Sequence, residues 1–148
     1  NIISKYMNPK FWGPHAWIFL HSLTFNFPTN PTNHDKHIYI DFFNSLKEIL
    51  PCEKCAYNYS KHLEEFPVEN AVKDRDTLVR WLIKVHNVVN EETGKRTWTY
   101  SEVIDEYKKK MKAVEDNGYS DETMIYKVII IALVVFIGYH VYNKKITF

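Results

Sequence analysis

Apolar positions along this chain recur at steps of three and four residues, the spacing of one helical face. Asn8-Pro9-Lys10 reads as a helix entry, and the stretch 11–27 that follows places Trp12, Ala16, Phe19, Leu20 and Leu23 on one face. His15, Trp17 and His21 fall away from the centre of that face. Pro28-Thr29-Asn30-Pro31-Thr32-Asn33 is a breaker segment. A second helix is expected over 34–49 with Ile38, Phe42, Leu46 and Ile49 as its stripe. Leu50-Pro51 ends it and opens a third helix over 52–65, which carries Tyr59 and Leu63 and stops before Pro67. The fourth begins near Asp74 or Asp76, where an acid suits a helix N-terminus. It has the cleanest stripe: Leu78, Trp81, Leu82, Val85, Val88 and Val89. Thr93-Gly94 is its stop signal. Ser101 can cap a short fifth helix through about residue 112, with Glu102 and Asp105 in the opening turn. The pattern predicts an all-α fold, a four-helix bundle with a short fifth helix.

The C-terminal part changes character. Residues 116–123, containing Asp116-Asn117-Gly118 and Ser120, read as a linker, and 124–142 as a run apolar on every side. That length is near the lower limit for a membrane span. Lys127 can snorkel, and Tyr126, Tyr139 and Tyr142 suit the interfaces. The expectation is a domain over 1–115, a linker, a transmembrane helix over 124–142 and a short tail over 143–148. A buried core helix is the alternative. With no secretory signal in the polar first ten residues, the span reads as a C-terminal tail anchor. It would make a single-pass membrane protein whose catalytic domain faces the cytosol. Lysines flank the span on both sides, so charge does not orient it.

Composition narrows the function classes. Of 148 residues, 45% are hydrophobic and 16% aromatic, which leaves room for a real core, and four glycines are too few for a turn-rich all-β protein. The formal net charge of +1 argues against nucleic-acid binding. Lys108-Lys109-Lys110 with Lys112 reads as a solvated helix face.

Candidate chemistry is concentrated at Cys52-Glu53-Lys54-Cys55, which holds both cysteines of the chain. Pro51 is compatible with a first helical turn, having no amide hydrogen to lose there. The first cysteine would then meet unpaired amides and the positive end of the helix dipole, which favour a thiolate. By spacing alone the pair is a redox dithiol, half of a zinc site completed from His21, His62 or His86, or an inert pair. A thioredoxin-like reading fails because no βαβ alternation surrounds the motif. The fourth helix adds His86-Asn87-Val88-Val89-Asn90, a polar ridge in which His86 and Asn90 are one turn apart. Asn is a poor residue inside a helix unless its amide meets something. With Trp17 and His21 from the first helix, the ridge reads as the wall of a pocket for a large, planar, polar ligand such as a flavin.

Three motifs in order resemble the FAD-dependent sulfhydryl oxidases of the Erv/ALR family. They are Trp12-Gly13-Pro14-His15-Ala16-Trp17 with Leu20-His21, then Leu50-Pro51-Cys52-Glu53-Lys54-Cys55, then Trp81 with His86-Asn87-Val88-Val89-Asn90 and Gly94-Lys95. The resemblance covers about 11–112. It implies a helical bundle that binds FAD, usually as a homodimer, with Cys55 against the flavin and Cys52 exchanging with the incoming thiol. Trp12, Gly13, Trp17, His21, Tyr59, His86, Asn87, Val89, Asn90, Lys95, Trp98 and Tyr107 would line the FAD, Lys95 facing its pyrophosphate. No metal is implied. The implied activity is oxidation of a dithiol substrate or relay protein, with electrons passing through flavin to O2 to give hydrogen peroxide.

Two departures stand out. Asn58 occupies a position where many relatives carry His, and this sequence has no shuttle cysteine pair of the kind larger relatives hold on a tail. A separate dithiol protein would therefore dock directly at Cys52, and any dimer would be non-covalent. The single-pair form looks like the compact oxidases of large cytoplasmic DNA viruses, which would make it a viral late protein of the host cytoplasm or virion membrane. The competing class is a non-enzymatic, membrane-tethered helical adaptor with a structural disulfide or zinc. A flavoprotein with an acceptor other than oxygen, such as a cytochrome, is a third.

Overall fold

Caps written into the sequence set where the helices begin. The computed structural model describes residues 7–146, without the side chains of 117–122, 138 and 140–146. Helix α1 spans Pro9–Asn26, entered through Asn8, whose Oδ1 accepts from the Lys10 amide at 2.9 Å. Pro14 stands inside α1 and cannot donate to the preceding turn. Helix α2, Asn33–Ile49, starts from a capping box in which Thr32 and Asp35 bond each other's backbone amides. Helix α3 is Glu53–Glu65 and α4 is Arg75–Glu92, with a 3-10 turn, Val68–Asn70, between them. Asp74 caps α4, accepting from the Thr77 amide and hydroxyl at 2.8 and 2.9 Å.

The end of α4 is closed by Gly94, whose φ of +68° is the left-handed conformation. Its amide bonds the Glu91 carbonyl at 3.1 Å, while the Lys95 amide reaches back to Asn90 at 2.7 Å. This double closure satisfies two orphan carbonyls and reverses the chain.

Within the first compact unit, Asn1–Tyr100, α1 packs mainly on α4, and α2 on α3 and the 3-10 turn. Phe27, Phe43, Leu78 and Val85 are fully buried at the centre of its core. The expected faces of α1 and α2 are rotated. Helix α1 buries Leu20, His21 and Thr24, leaving Phe19 56% exposed. In α2 the buried residues are Phe43 and Leu46, and Ile38 and Ile49 face outward. Both helices carry apolar residues on more than one side, so spacing alone does not select the inward one.

Helix α5, Tyr100–Ile146, is a single continuous element, nearly all of which lies in the second unit, Ser101–Phe148. It runs without a break through 116–123, where the sequence suggested a linker, and the fifth helix is therefore long. Among the described residues, no helix is long and apolar enough to cross a membrane. This corrects the expected transmembrane helix over 124–142. The expected single-pass protein with a C-terminal anchor and a cytosol-facing catalytic domain, on a host or virion membrane, is corrected with it. Length supplies the physical reason. The apolar stretch whose side chains are described without a gap, 124–137 with Lys127 inside it, makes about 21 Å of helix against a hydrocarbon core of about 30 Å. The side chains of 138 and 140–142, which the expectation included, lie outside the described residues.

Candidate functional site

Cys52 is the N-cap of α3, its Sγ accepting from the Cys55 amide at 3.2 Å. Pro51 therefore precedes the cap and lies outside the first turn, where the sequence reading put it. The Cys52 carbonyl takes the Ala56 amide at 2.9 Å and starts the helix. The two sulfurs form a disulfide with the Cα atoms 5.1 Å apart. Both cysteines are half-buried, so a partner's thiol can approach this helix end.

The α1–α4 pair builds the second part of the site. His21 is 1% exposed, and its Nε2 lies 3.0 Å from Nδ1 of His86, so one ring donates and the other accepts. Trp17, one turn before His21, stacks on His86 with ring centroids 3.8 Å apart and planes 6° from parallel. Burial, and secondarily the positive charge of Lys95, pulls the His86 pKa from its ordinary 6.5 to about 4. His86 is therefore neutral at neutral pH. Lys95 is held just past the end of α4 by the Gly94 closure. Trp17, His21, His86 and Lys95 are thus brought together. Asn90, buried in α4, supplies the carbonyl that receives the Lys95 amide.

Other candidates have different placements. The Asn87 amide is bidentate to the backbone of Trp98, donating to its carbonyl at 2.8 Å and accepting from its amide at 2.9 Å. Arg96 lies over the Trp98 ring at 4.0 Å, so this loop is braced against α4 from two directions. Tyr59 points into the core, its hydroxyl donating to the Phe43 carbonyl at 3.0 Å, and burial raises its pKa. Trp12 is half-buried near the start of α1 and donates to the Met7 carbonyl at 3.4 Å. At Gly13 a Cβ would meet nothing within 4 Å. Val89 is half-buried on α4. Tyr107 lies on α5 in the second unit, its hydroxyl pKa pushed up to about 12 by burial first and Glu106 second.

His62 has a role the sequence reading did not foresee. Weighed there as a zinc ligand, it is buried and bonds Glu92 on α4, its Nε2 3.0 Å from Oε1. Among the described residues, no cluster of three or more His, Cys, Asp or Glu could hold a metal. By sequence Glu92 is one more acid near the end of a helix. The available signal was the position of His62, seven residues and two turns beyond Cys55.

The donor set suits FAD. An imidazole pair, one ring buried and one half-buried, beside an indole face matches a planar heterocycle, and a lysine at a helix end matches a diphosphate. A helical fold with a disulfide at one helix head and this aromatic wall on another helix pair defines a dithiol–disulfide redox protein. The comparisons place it more narrowly. The model of the Erv1 / Alr family matches residues 14–110, and the chain belongs to that family. It is 42% identical over 115 residues to a protein named probable FAD-linked sulfhydryl oxidase of Acanthamoeba polyphaga mimivirus, covering 77% of this chain and 80% of that one. It is 34% identical over 83 residues to the mitochondrial FAD-linked sulfhydryl oxidase ERV1 of Saccharomyces cerevisiae, covering 56% of this chain and 43% of that protein. The chain thus spans under half the length of this yeast relative. The crystal structure of the FAD-binding domain of Erv1 from the same yeast superposes with a TM-score of 0.61 at 31% identity, covering 64% of this chain and 88% of that one.

Proposed function

We propose that this protein is an FAD-dependent thiol oxidase that introduces disulfides into a partner dithiol protein. The observation that carries the reading is the Cys52–Cys55 disulfide at the head of α3 in a chain of this family. A substrate thiolate attacks Cys52 Sγ, the Cys52–Cys55 bond breaks, and Cys55 leaves as a thiolate. The second substrate thiolate attacks the substrate sulfur of the mixed disulfide. It forms the substrate disulfide and expels Cys52 as a thiolate. The Cys55 amide, already donating to Cys52 Sγ, and the helix dipole stabilise that charge. FAD, when bound, takes the two electrons of the Cys52/Cys55 dithiol and delivers them to O2, giving hydrogen peroxide.

The residues proposed to hold FAD, all in the first unit, are Trp12, Gly13, Trp17, His21, Tyr59, His86, Asn87, Val89, Asn90, Lys95 and Trp98. Within that set, the Asn87 amide is engaged by the Trp98 backbone and the Tyr59 hydroxyl by the Phe43 carbonyl, so neither offers these polar atoms to a ligand. Neutral His86 can accept or donate a single hydrogen bond at a ring edge, and Lys95 supplies the cation for a diphosphate.

The same reading includes a non-covalent homodimer. Ile18, Phe19 and Ile38 on α1 and α2 are exposed apolar residues, and both cysteines of the sequence are committed to the redox pair. Sedimentation should give a dimer that Phe19→Glu converts to a monomer; an unaltered mass would place any interface elsewhere.

The test of the oxidase is a visible spectrum of the full chain before and after anaerobic dithiothreitol. A flavin band that bleaches, then recovers with peroxide when air is admitted, is the expected result. A colourless chain would overturn the proposal in favour of a non-enzymatic helical adaptor.

A further inference from the structure

The redox disulfide and the Trp17–His86 wall stand on different helix pairs: the cysteines head α3, which packs on α2, and the wall belongs to α1 and α4. Electrons can leave the cysteines for a cofactor on that wall only if α3 is held in register with α4. Hydrogen bonds join these helices at both ends of α4's length alongside α3. The Trp81 indole of α4 donates to the Phe66 carbonyl at the end of α3, at 2.8 Å. The Glu92 carboxylate at the far end of α4 receives His62 Nε2 at 3.0 Å on one oxygen and Asn58 Nδ2 at 3.4 Å on the other. From Trp81 to Glu92, the partners on α3 run back from Phe66 to Asn58, so the helices are antiparallel. The same direction leads to Cys55, one turn before Asn58.

We propose that Glu92 is a positioning residue for the electron transfer, setting the height of the Cys55 turn against His86 and Asn90. This rests on the oxidase reading. The carboxylate can only accept, so His62 Nε2 carries the hydrogen, and His62 Nδ1 is buried with no hydrogen-bond partner. Glu92 is therefore the acceptor on which this buried imidazole depends, and its loss leaves a buried N–H unsatisfied. Asn58 fits the same carboxylate because its amide can donate. An acid at 58 would set two like charges against each other. A displacement of about 1 Å at a reacting centre can cost on the order of 100-fold in rate, so a surface carboxylate acting through register has a measurable effect.

The experiment uses the full flavin-loaded chain under anaerobic conditions. The rate at which saturating dithiothreitol bleaches the flavin is compared with the rate at which O2 restores it, a step that does not involve the cysteines. Glu92→Ala and Asn58→Asp should each slow bleaching by about 10-fold or more, with flavin content and reoxidation unchanged. Glu92→Gln, which keeps an acceptor for His62, should recover most of the rate. In the flavin-free chain, the His62 Nε2 proton should exchange slowly with water and lose that protection in Glu92→Ala. Unchanged bleaching in both Glu92→Ala and Asn58→Asp overturns the proposal, as does an equal loss of bleaching, reoxidation and flavin content. A wild-type chain that binds flavin but never bleaches refutes the oxidase reading, and the positioning role falls with it.

Discussion

Trp17 and His86 face each other across α1 and α4, ring planes 6° from parallel and centroids 3.8 Å apart, while the His86 edge meets His21 at 3.0 Å. The stack and the edge contact fix the imidazole in two directions. Trp17→Ala removes the stacked face and leaves His86 free to turn. The expected loss is about 1 kcal/mol of stability beyond the lost burial, read by urea unfolding, together with reduced flavin absorbance per chain. Trp17→Phe should retain most of both. Full flavin content in Trp17→Ala would show that the wall does not hold the cofactor.

His86 also makes the flavin-free chain sensitive to acid. Its pKa is about 4 when folded against an ordinary 6.5, so the unfolded chain binds the extra proton first as pH falls. Stability should therefore decline from about pH 6.5 down to about pH 4, by an amount on the order of 3 kcal/mol. Below both values the loss is complete. Comparing urea midpoints of the wild type and His86→Gln across this range isolates the effect from the carboxylates. Parallel curves would mean that His86 is not the responsible group.

The two cysteines are separable by their structural duties. Cys52 is both the exchanging sulfur and the helix N-cap, so Cys52→Ser should abolish oxidase activity and lose about 2 kcal/mol with the disulfide, while keeping the cap, because Ser is a strong cap. Cys52→Ala should lose the activity and about 1 kcal/mol more than Cys52→Ser. Cys55→Ser should keep bound flavin and lose oxidase turnover. Peroxide production at the wild-type rate in Cys55→Ser would refute the assignment of roles.

Gly94 positions Lys95 through backbone geometry alone. No heavy atom stands within 4 Å of a Cβ placed there, yet φ is +68°. Gly94→Ala should therefore cost about 1–2 kcal/mol from left-handed strain, with no clash to relieve. Gly94→Asn should cost less, since Asn tolerates this conformation better. Thermal unfolding of the two variants is the measurement, and equal midpoints would argue that the closure has relaxed.

Local chemistry was legible in the chain itself. Asn8 and Asp74 read as helix entries next to apolar runs, Gly94 is the stop signal of α4, and the two cysteines stand at redox spacing. These features depend on neighbours within a few residues, where propensity and hydrogen-bonding capacity act directly. The three motifs that mark the family were legible for the same reason. Apolar character, length and flanking tyrosines suggest a membrane span, yet among the described residues no helix is long and apolar enough to cross.

What the sequence by itself determined is therefore the first four helices and the place of the cysteine pair, while the fifth helix came out longer than its pattern suggested. The tertiary structure decided which side of each helix is inside. Helix α1 buries His21 and exposes Phe19, the reverse of what hydrophobicity suggests, because His21 meets His86, 65 residues away, and so has a partner for its burial. Glu92 reads as one more surface acid until α4 brings it to His62 and Asn58 of α3. Periodicity specifies the spacing of side chains along a helix. The inward face is chosen by contacts between helices, and those are made by residues distant in the chain.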